Sequence, residues 1–291
     1  MPRQPELVSS EQLVDHALEI QPRLSYDDKK GSWGRVCVIG GCEFYTGAPY
    51  FAAAAALRIG TDYAYVVTTK DAAPAIKTYS PELIVMPCLP STNDPVVRNR
   101  EHMLRVLGKA HAVILGPGLG RDPVTLDYLR ALTHDVLPSL EVPVIVDADG
   151  ILLVDEVWIE QMRAAVVITP NWHEASLLKG LHILDSQRDV FKLVKGKEDN
   201  LSCAGFRWAV SEIGAPRRVA GLGDVLSGVL GALLAWTTVA EVPVSPRTIL
   251  LGSVVLRRAA CAAFEKYGRQ MTPSTVIEAI CESNMPWTPV T

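Results

Sequence analysis

Hydrophobic positions along the chain fall into short apolar runs separated by helical stretches. Residues 35–41 (RVCVIGG), 62–69 (DYAYVVTT), 81–86 (PELIVM), 111–120 (HAVILGPGLG), 142–150 (VPVIVDADG) and 164–171 (AAVVITPN) each read as a strand, and several run straight into a loop. Such runs are apolar at consecutive positions, so both faces of each strand are buried, as in a parallel sheet covered by helices on both sides. Between them the period changes to that of a helix. Ser9 and Gln12 have capping-box spacing ahead of Leu13, Val14, Ala17 and Leu18, and YFAAAAALRIG (50–60) is an alanine-rich helix that Gly60 can stop. Near the C-terminus, Ser245-Pro246 and Thr272-Pro273 each place a cap before a proline at the first helical position, with Gly268 closing the first of these helices. No repeat or low-complexity linker interrupts the pattern. One doubly wound α/β domain is therefore expected over 1–291.

Composition removes several classes of function. With 28 Lys and Arg against 32 Asp and Glu, the chain lacks the basic excess of a nucleic-acid binder. The most apolar stretch, 225–240, is interrupted by Ser227, Gly228 and Gly231 and reads as a buried helix rather than a membrane span. The N-terminus has no leader pattern, which makes a cytoplasmic location the expectation. The six cysteines form no C-x-x-C pair and are expected to be reduced and mostly buried. His102, His111 and His134 lack ligand spacing and are expected at the surface.

In an open parallel sheet, ligands bind outside the carboxyl ends of the strands. That rule selects the loops at 40–49, 116–122, 147–150 and 169–174, and the one following Leu193-Val194. Neither G-x-G-x-x-G nor G-x-x-x-x-G-K-[ST] occurs, which argues against a Rossmann dehydrogenase and a P-loop enzyme. Ala220-Gly221-Leu222-Gly223-Asp224 opens a long apolar helix, so its free N–H groups and dipole suit a phosphate, with a carboxylate directly behind. Asp224 could equally complement the helix dipole. The cations Arg217, Arg218, Lys195 and Lys197 favour phosphoryl transfer to a hydroxyl, with Asp224 taking the proton. Asp147-Ala148-Asp149-Gly150 could place a metal ion or form a cap, and Asn171 with His173-Glu174 could contact a ligand or cap a helix.

Taken together, these strings resemble the ATP-dependent NAD(P)H-hydrate dehydratase family of the ribokinase-like superfamily, over about residues 32–267. The resemblance is carried by YTGAPYFAA (45–53), TKDAAPAIK (69–77), YSPELIV (79–85), GPGLGRD (116–122), DADG (147–150), TPN (169–171), KGKED (195–199) and GDVLSG (223–228). It implies a ribokinase-like fold and ATP-driven dehydration of the S epimer of hydrated NADH or NADPH, giving ADP and phosphate. Asp224 is then the base on the substrate hydroxyl. Gly118, Gly120, Asn171, Trp172, His173, Glu174, Ala175, Ser176 and Leu177 would face the hydrated dinucleotide. ATP would contact Lys195, Gly196, Lys197, Glu198 and Asp199, and also Gly214, Ala215, Pro216, Arg217, Arg218, Val219, Ala220, Gly221, Leu222 and Gly223. Mg2+ follows from the phosphate chemistry, without assigned ligands.

The chain departs from the family at Ala220 and Leu222, at 200–205 (NLSCAG) and in an apparently shortened stretch from 178 to 195. A small-molecule kinase and a non-catalytic nucleotide-binding relative therefore stay open beside the dehydratase. Oligomeric state, a homo-oligomer included, is not determined by the sequence.

Overall fold

The computed structural model describes residues 5–178, 180–181 and 189–282. In chain order the elements are β1 (Glu6–Leu7), α1 (Ser10–Ile20), β2 (Arg35–Ile39), α2 (Gly47–Ile59), β3 (Tyr63–Thr69), α3 (Ala73–Tyr79), β4 (Ile84–Leu89), α4 (Arg100–Leu107), β5 (Ala112–Leu115), α5 (Pro123–Asp135), β6 (Val144–Val146), α6 (Glu156–Gln161), β7 (Val166–Ile168), α7 (Glu174–Leu177), β8 (Val190–Val194), β9 (Asp199–Cys203), β10 (Phe206–Val210), α8 (Leu222–Val239), α9 (Pro246–Tyr267) and α10 (Pro273–Ala279). All ten strands join one sheet in the order β1-β10-β9-β8-β7-β6-β5-β2-β3-β4. From β2 to β8 the pairing is parallel throughout.

Successive side chains of a strand leave opposite faces of the sheet. Accordingly Val36 and Val38 enter one core layer with α1, α2, α8, α9 and α10, whereas Cys37 and Ile39 enter the other with α4, α5 and α6. This two-sided burial is why the strand runs are continuously apolar. The alanines of α2 let α8 approach closely: a Cβ on Gly228 would lie 2.1 Å from the Ala52 carbonyl oxygen. Helix α8 has 18 residues and, by length and composition, could cross a membrane. What marks it as a core helix is its burial from Val225 to Thr237.

Two features escaped the sequence reading. The NLSCAG stretch is half of a β-hairpin, in which β9 and β10 pair antiparallel around Ala204-Gly205. Both turn residues have positive φ (48° and 77°), as a type I′ turn requires. Residues Glu6–Leu7 then add a parallel edge strand beside β10. The expected shortening between 178 and 195 falls largely on residues 179 and 182–188, outside the described residues.

The cysteines are all free, with Cys37, Cys88 and Cys203 buried, Cys42 and Cys261 partly so, and Cys281 exposed. Of the three histidines assigned to the surface, His102 is exposed. His111 is part-buried against Arg35, and His134 bonds Asp155 at 3.0 Å. Their bonds tie neighbouring elements together, which the residue type alone does not reveal.

Candidate active site

Strand order reverses between β2 and β5, because the chain runs outward through β3 and β4 before returning to the other side of β2. All five loops selected from the sequence lie at the carboxyl ends of the sheet, following β2, β5, β6, β7 and β8. The first turn of α8 faces the middle of this row. Gly221 caps α8 with φ of 95°, a left-handed conformation that glycine adopts without strain. The first N–H groups of the helix have no helical acceptors and carry the positive end of its dipole. Leu222 packs its side chain against the apolar core, so its substitution leaves a cradle made of backbone.

Beneath the cradle lies a buried charge pair. Asp147, at the end of β6, accepts hydrogen bonds from Lys195 Nζ (2.8 Å), Ser227 Oγ (2.5 Å) and Thr169 Oγ1 (2.8 Å). Its burial would raise the carboxyl's pKa, but the Lys195 ammonium and the two hydroxyls outweigh this and hold it below the ordinary range. For Lys195, burial works to lower the pKa, and Asp147 more than offsets it, so the ammonium persists. Asp147 is therefore an anchor for Lys195, not a free metal ligand. The sequence reading left that choice open and missed Thr169 and Ser227, which belong to separate motifs.

Gly223 forms the surface above this pair. A Cβ built there would sit 3.2 Å from Lys195 Nζ and 3.8 Å from Asp147 Oδ2. The bare backbone thus leaves open the space through which an anion reaches the ammonium. Gly223→Ala should raise the KM for a phosphate-bearing ligand, because its methyl would crowd Lys195 Nζ; equal KM values for variant and wild type would contradict this.

Asp224 stands beside the cradle as the third residue of α8, and its side chain caps nothing outside its own residue. Burial, with the Asp147 charge second, pushes its carboxyl up to about 7. A dipole-complementing carboxylate would be held low, whereas a general base for neutral pH needs a value near 7. Glu174 lies close enough to act electrostatically on both Asp224 and Lys195.

Every residue expected to contact ATP lines one cavity of about 770 Å³. Within it, Asp199 is buried and occupied: its carboxylate accepts from Arg257 Nε at 2.8 Å and from the Gly196 N–H at 3.0 Å. Arg257 also donates to the carbonyls of Glu212 (3.1 Å) and Gly196 (3.0 Å), so it fastens three segments of the wall. Arg217 is likewise committed to the carbonyls of Arg269 and Met271, whereas Arg218 is exposed. Asp199 and Arg217 therefore shape the wall instead of offering free charge. Asn171, expected to face the dinucleotide, lines the same cavity, as do Ser211, Glu212, Ile213, Leu226, Leu256, Arg257 and Ala260; no motif marks the last three, because α9 reads only as a core helix.

The substrate run is more exposed. Asn171 Oδ1 accepts from the N–H groups of His173 and Glu174, and Glu174 Oε2 accepts from Asn171 N–H, all at 2.9 Å. These bonds cap the turn ahead of α7. Trp172, His173, Ser176 and Leu177 are exposed on the rim, with Ala175 partly covered. Gly118 and Gly120 belong to the other side of the row, where Gly118 packs on Tyr45 and Ala48, and Gly120 on Cys42.

Comparison with known proteins identifies the family and the fold. A family model described as NAD(P)H-hydrate dehydratase matches residues 36–282. The ATP-dependent (S)-NAD(P)H-hydrate dehydratase of Arabidopsis thaliana is 38% identical over 299 residues, covering 91% of this chain and 82% of the relative. The human protein of the same name is 38% identical over 289 residues, with 90% and 80% covered. Among solved structures, a ribokinase-like superfamily protein from Enterococcus faecalis V583 superposes with a TM-score of 0.71 at 21% identity, covering 97% of each chain. The ADP/ATP-dependent NAD(P)H-hydrate dehydratase of Bacillus subtilis, co-crystallized with ATP/Mg2+ and soaked with CoA, gives 0.65 at 14% identity, covering 97% and 98%. The fold is thus ribokinase-like, and by the extent of the family match and its identity to these relatives the chain belongs to the NAD(P)H-hydrate dehydratase family.

Proposed function

We propose that this protein is an ATP-dependent (S)-NAD(P)H-hydrate dehydratase in which Asp224 is the general base. The observation that carries the assignment is geometric: Asp224 stands in the first turn of α8, beside a backbone cradle whose Gly223 lies over the Lys195 ammonium. Hydroxide is a poor leaving group, so the hydrated ring needs its hydroxyl activated. Asp224 takes the proton of the C6 hydroxyl, the oxygen attacks the terminal phosphorus of ATP, and the bond from that phosphorus to the bridging oxygen of ADP breaks. The ring nitrogen then donates its lone pair, the C6–O bond breaks and inorganic phosphate leaves. Loss of one proton from the adjacent ring carbon restores the double bond. The N–H groups of the cradle and Lys195 stabilise charge on the transferring phosphoryl group.

Among the described residues no cluster of three His, Cys, Asp or Glu side chains could hold a metal. Glu174, whose charge acts on both Asp224 and Lys195, is the carboxylate that would hold a magnesium ion at the cradle, and such an ion would neutralise phosphate charge. The substrates are small molecules, ATP and the hydrated dinucleotide.

Adding ATP to purified protein and hydrated NADH should restore the absorbance of the reduced ring, with ADP and phosphate released in equal amounts. A stable phosphate ester instead would identify a kinase. The pH dependence follows from Asp224: only the carboxylate accepts the proton, so kcat/KM should rise about tenfold per pH unit below about 7 and level off above it. A profile flat between pH 5 and pH 8, a window set about this value, would exclude Asp224 as the base.

A further inference from the structure

Residues 195–198 form the turn of a hairpin in which β8 and β9 pair antiparallel, with Val194 opposite Asn200. Lys195, the first residue of that turn, carries the ammonium that lies under Gly223. The turn is tight, since a Cβ on Gly196 would lie 2.8 Å from the Glu198 carbonyl oxygen, and the Gly196 N–H donates to Asp199 Oδ1 at 3.0 Å. Where the ammonium sits therefore depends on what holds Gly196.

That support comes from the middle of α9. The mostly buried Arg257 side chain directs three donors at three acceptors: Nε at Asp199 Oδ2 (2.8 Å), Nη2 at the Gly196 carbonyl (3.0 Å) and Nη1 at the Glu212 carbonyl (3.1 Å). Both backbone groups of Gly196, its carbonyl directly and its N–H through Asp199, thus end on one guanidinium. Arg257 Cγ also lies 3.4 Å from where Gly214 would carry a Cβ, so the same stem props the segment leading to Gly221. Compensating the buried Asp199 carboxylate requires only a positive charge. Reaching three acceptors in different directions requires the planar fork of arginine, which an ammonium does not have.

Resting on the function proposed above, we infer that Arg257 is a positioning residue for ATP: by fastening the Gly196 turn and the segment after Glu212 to α9, it holds the Lys195 ammonium against the cradle. Its effect on the nucleotide passes through Lys195. Arg257 lies on a core helix, 61 positions from Gly196, so no local pattern announces this role.

Arg257→Lys keeps a positive charge beside Asp199, so its melting temperature should stay within a few degrees of wild type. Its Kd for ATP, measured by calorimetric titration, should nevertheless rise about tenfold, while KM for the hydrated dinucleotide changes less than about twofold. Wild-type ATP affinity in this variant overturns the inference, because charge alone would then suffice. A double-mutant cycle tests the route through Lys195. In the background Asp147→Asn with Lys195→Met, which lacks the ammonium and strands no charge, Arg257→Lys should raise Kd for ATP less than about twofold further. The pair Asp199→Asn with Arg257→Gln, which also strands no charge, should show the same contrast between the two backgrounds. Equal factors in both backgrounds, as expected of a residue that meets ATP itself or serves only the wall, overturn the inference. If the cycle is non-additive but ATP drives no dehydration, the positioning role stands and the proposed activity falls.

Discussion

Asp224→Asn is expected to lower kcat by about 10² to 10⁴ while raising the melting temperature. The rate falls because the amide cannot accept the hydroxyl proton. The gain in stability follows from the sign of the pKa shift. In the folded protein this carboxyl titrates at about 7, above its ordinary 3.8, so the native state binds the proton more tightly than the unfolded chain. Its ionisation therefore opposes folding: the cost begins as pH rises past the unfolded value and is complete above about 7. A shift of this size corresponds to on the order of 3 to 4 kcal/mol at pH 8. Asparagine carries no charge to desolvate, so the variant should melt several degrees higher at pH 8, and the gap should narrow toward pH 4. A residue that only complemented the helix dipole would give the opposite result, with activity kept and stability lost. Measuring kcat and the melting temperature at both pH values separates the two.

The second large effect concerns the pair beneath the cradle. Lys195→Met leaves the Asp147 carboxylate buried with only the Ser227 and Thr169 hydroxyls. Removing one partner of a buried ion pair costs about 3 to 5 kcal/mol, because the remaining charge is uncompensated. The double variant Asp147→Asn with Lys195→Met carries no stranded charge, and most of that stability should return. KM for ATP should remain raised in both, since neither has the ammonium against Gly223. Denaturant unfolding of the single and double variants, alongside KM for ATP, tests this. Recovery of ATP binding in the double variant would show that Lys195 serves the fold and not the phosphate.

These two residues also show how far each level of information reaches. Asp224 was legible in the sequence because its neighbours are local: glycines at 221 and 223 and an apolar run behind them define a helix start within a few residues. Its perturbed acidity was not legible, since that comes from burial and from Asp147, 77 positions away in the chain. Lys195 reads in sequence as a loop cation near nucleotide. Only the parallel alignment of β6 with β8, through β7, brings it against Asp147 and turns it into half of a buried pair.

Local patterns determined the strands of the parallel sheet, the helix caps at Ser9, Ser245 and Thr272, and the loops at the carboxyl ends, because strand burial and capping are short-range chemistry. The hairpin at Ala204-Gly205 escaped because alanine is not a residue that signals positive φ. The tertiary structure alone decided which side chains are free to act. Asp199 and Arg217 look available in sequence but are held by Arg257, the Gly196 N–H and the carbonyls near α10, whereas the hydroxyl of Thr69, unremarkable in its strand, is buried with no hydrogen-bond partner among the described residues. Residue type sets what a group can bond; only the packing of distant segments sets whether that bond is already made.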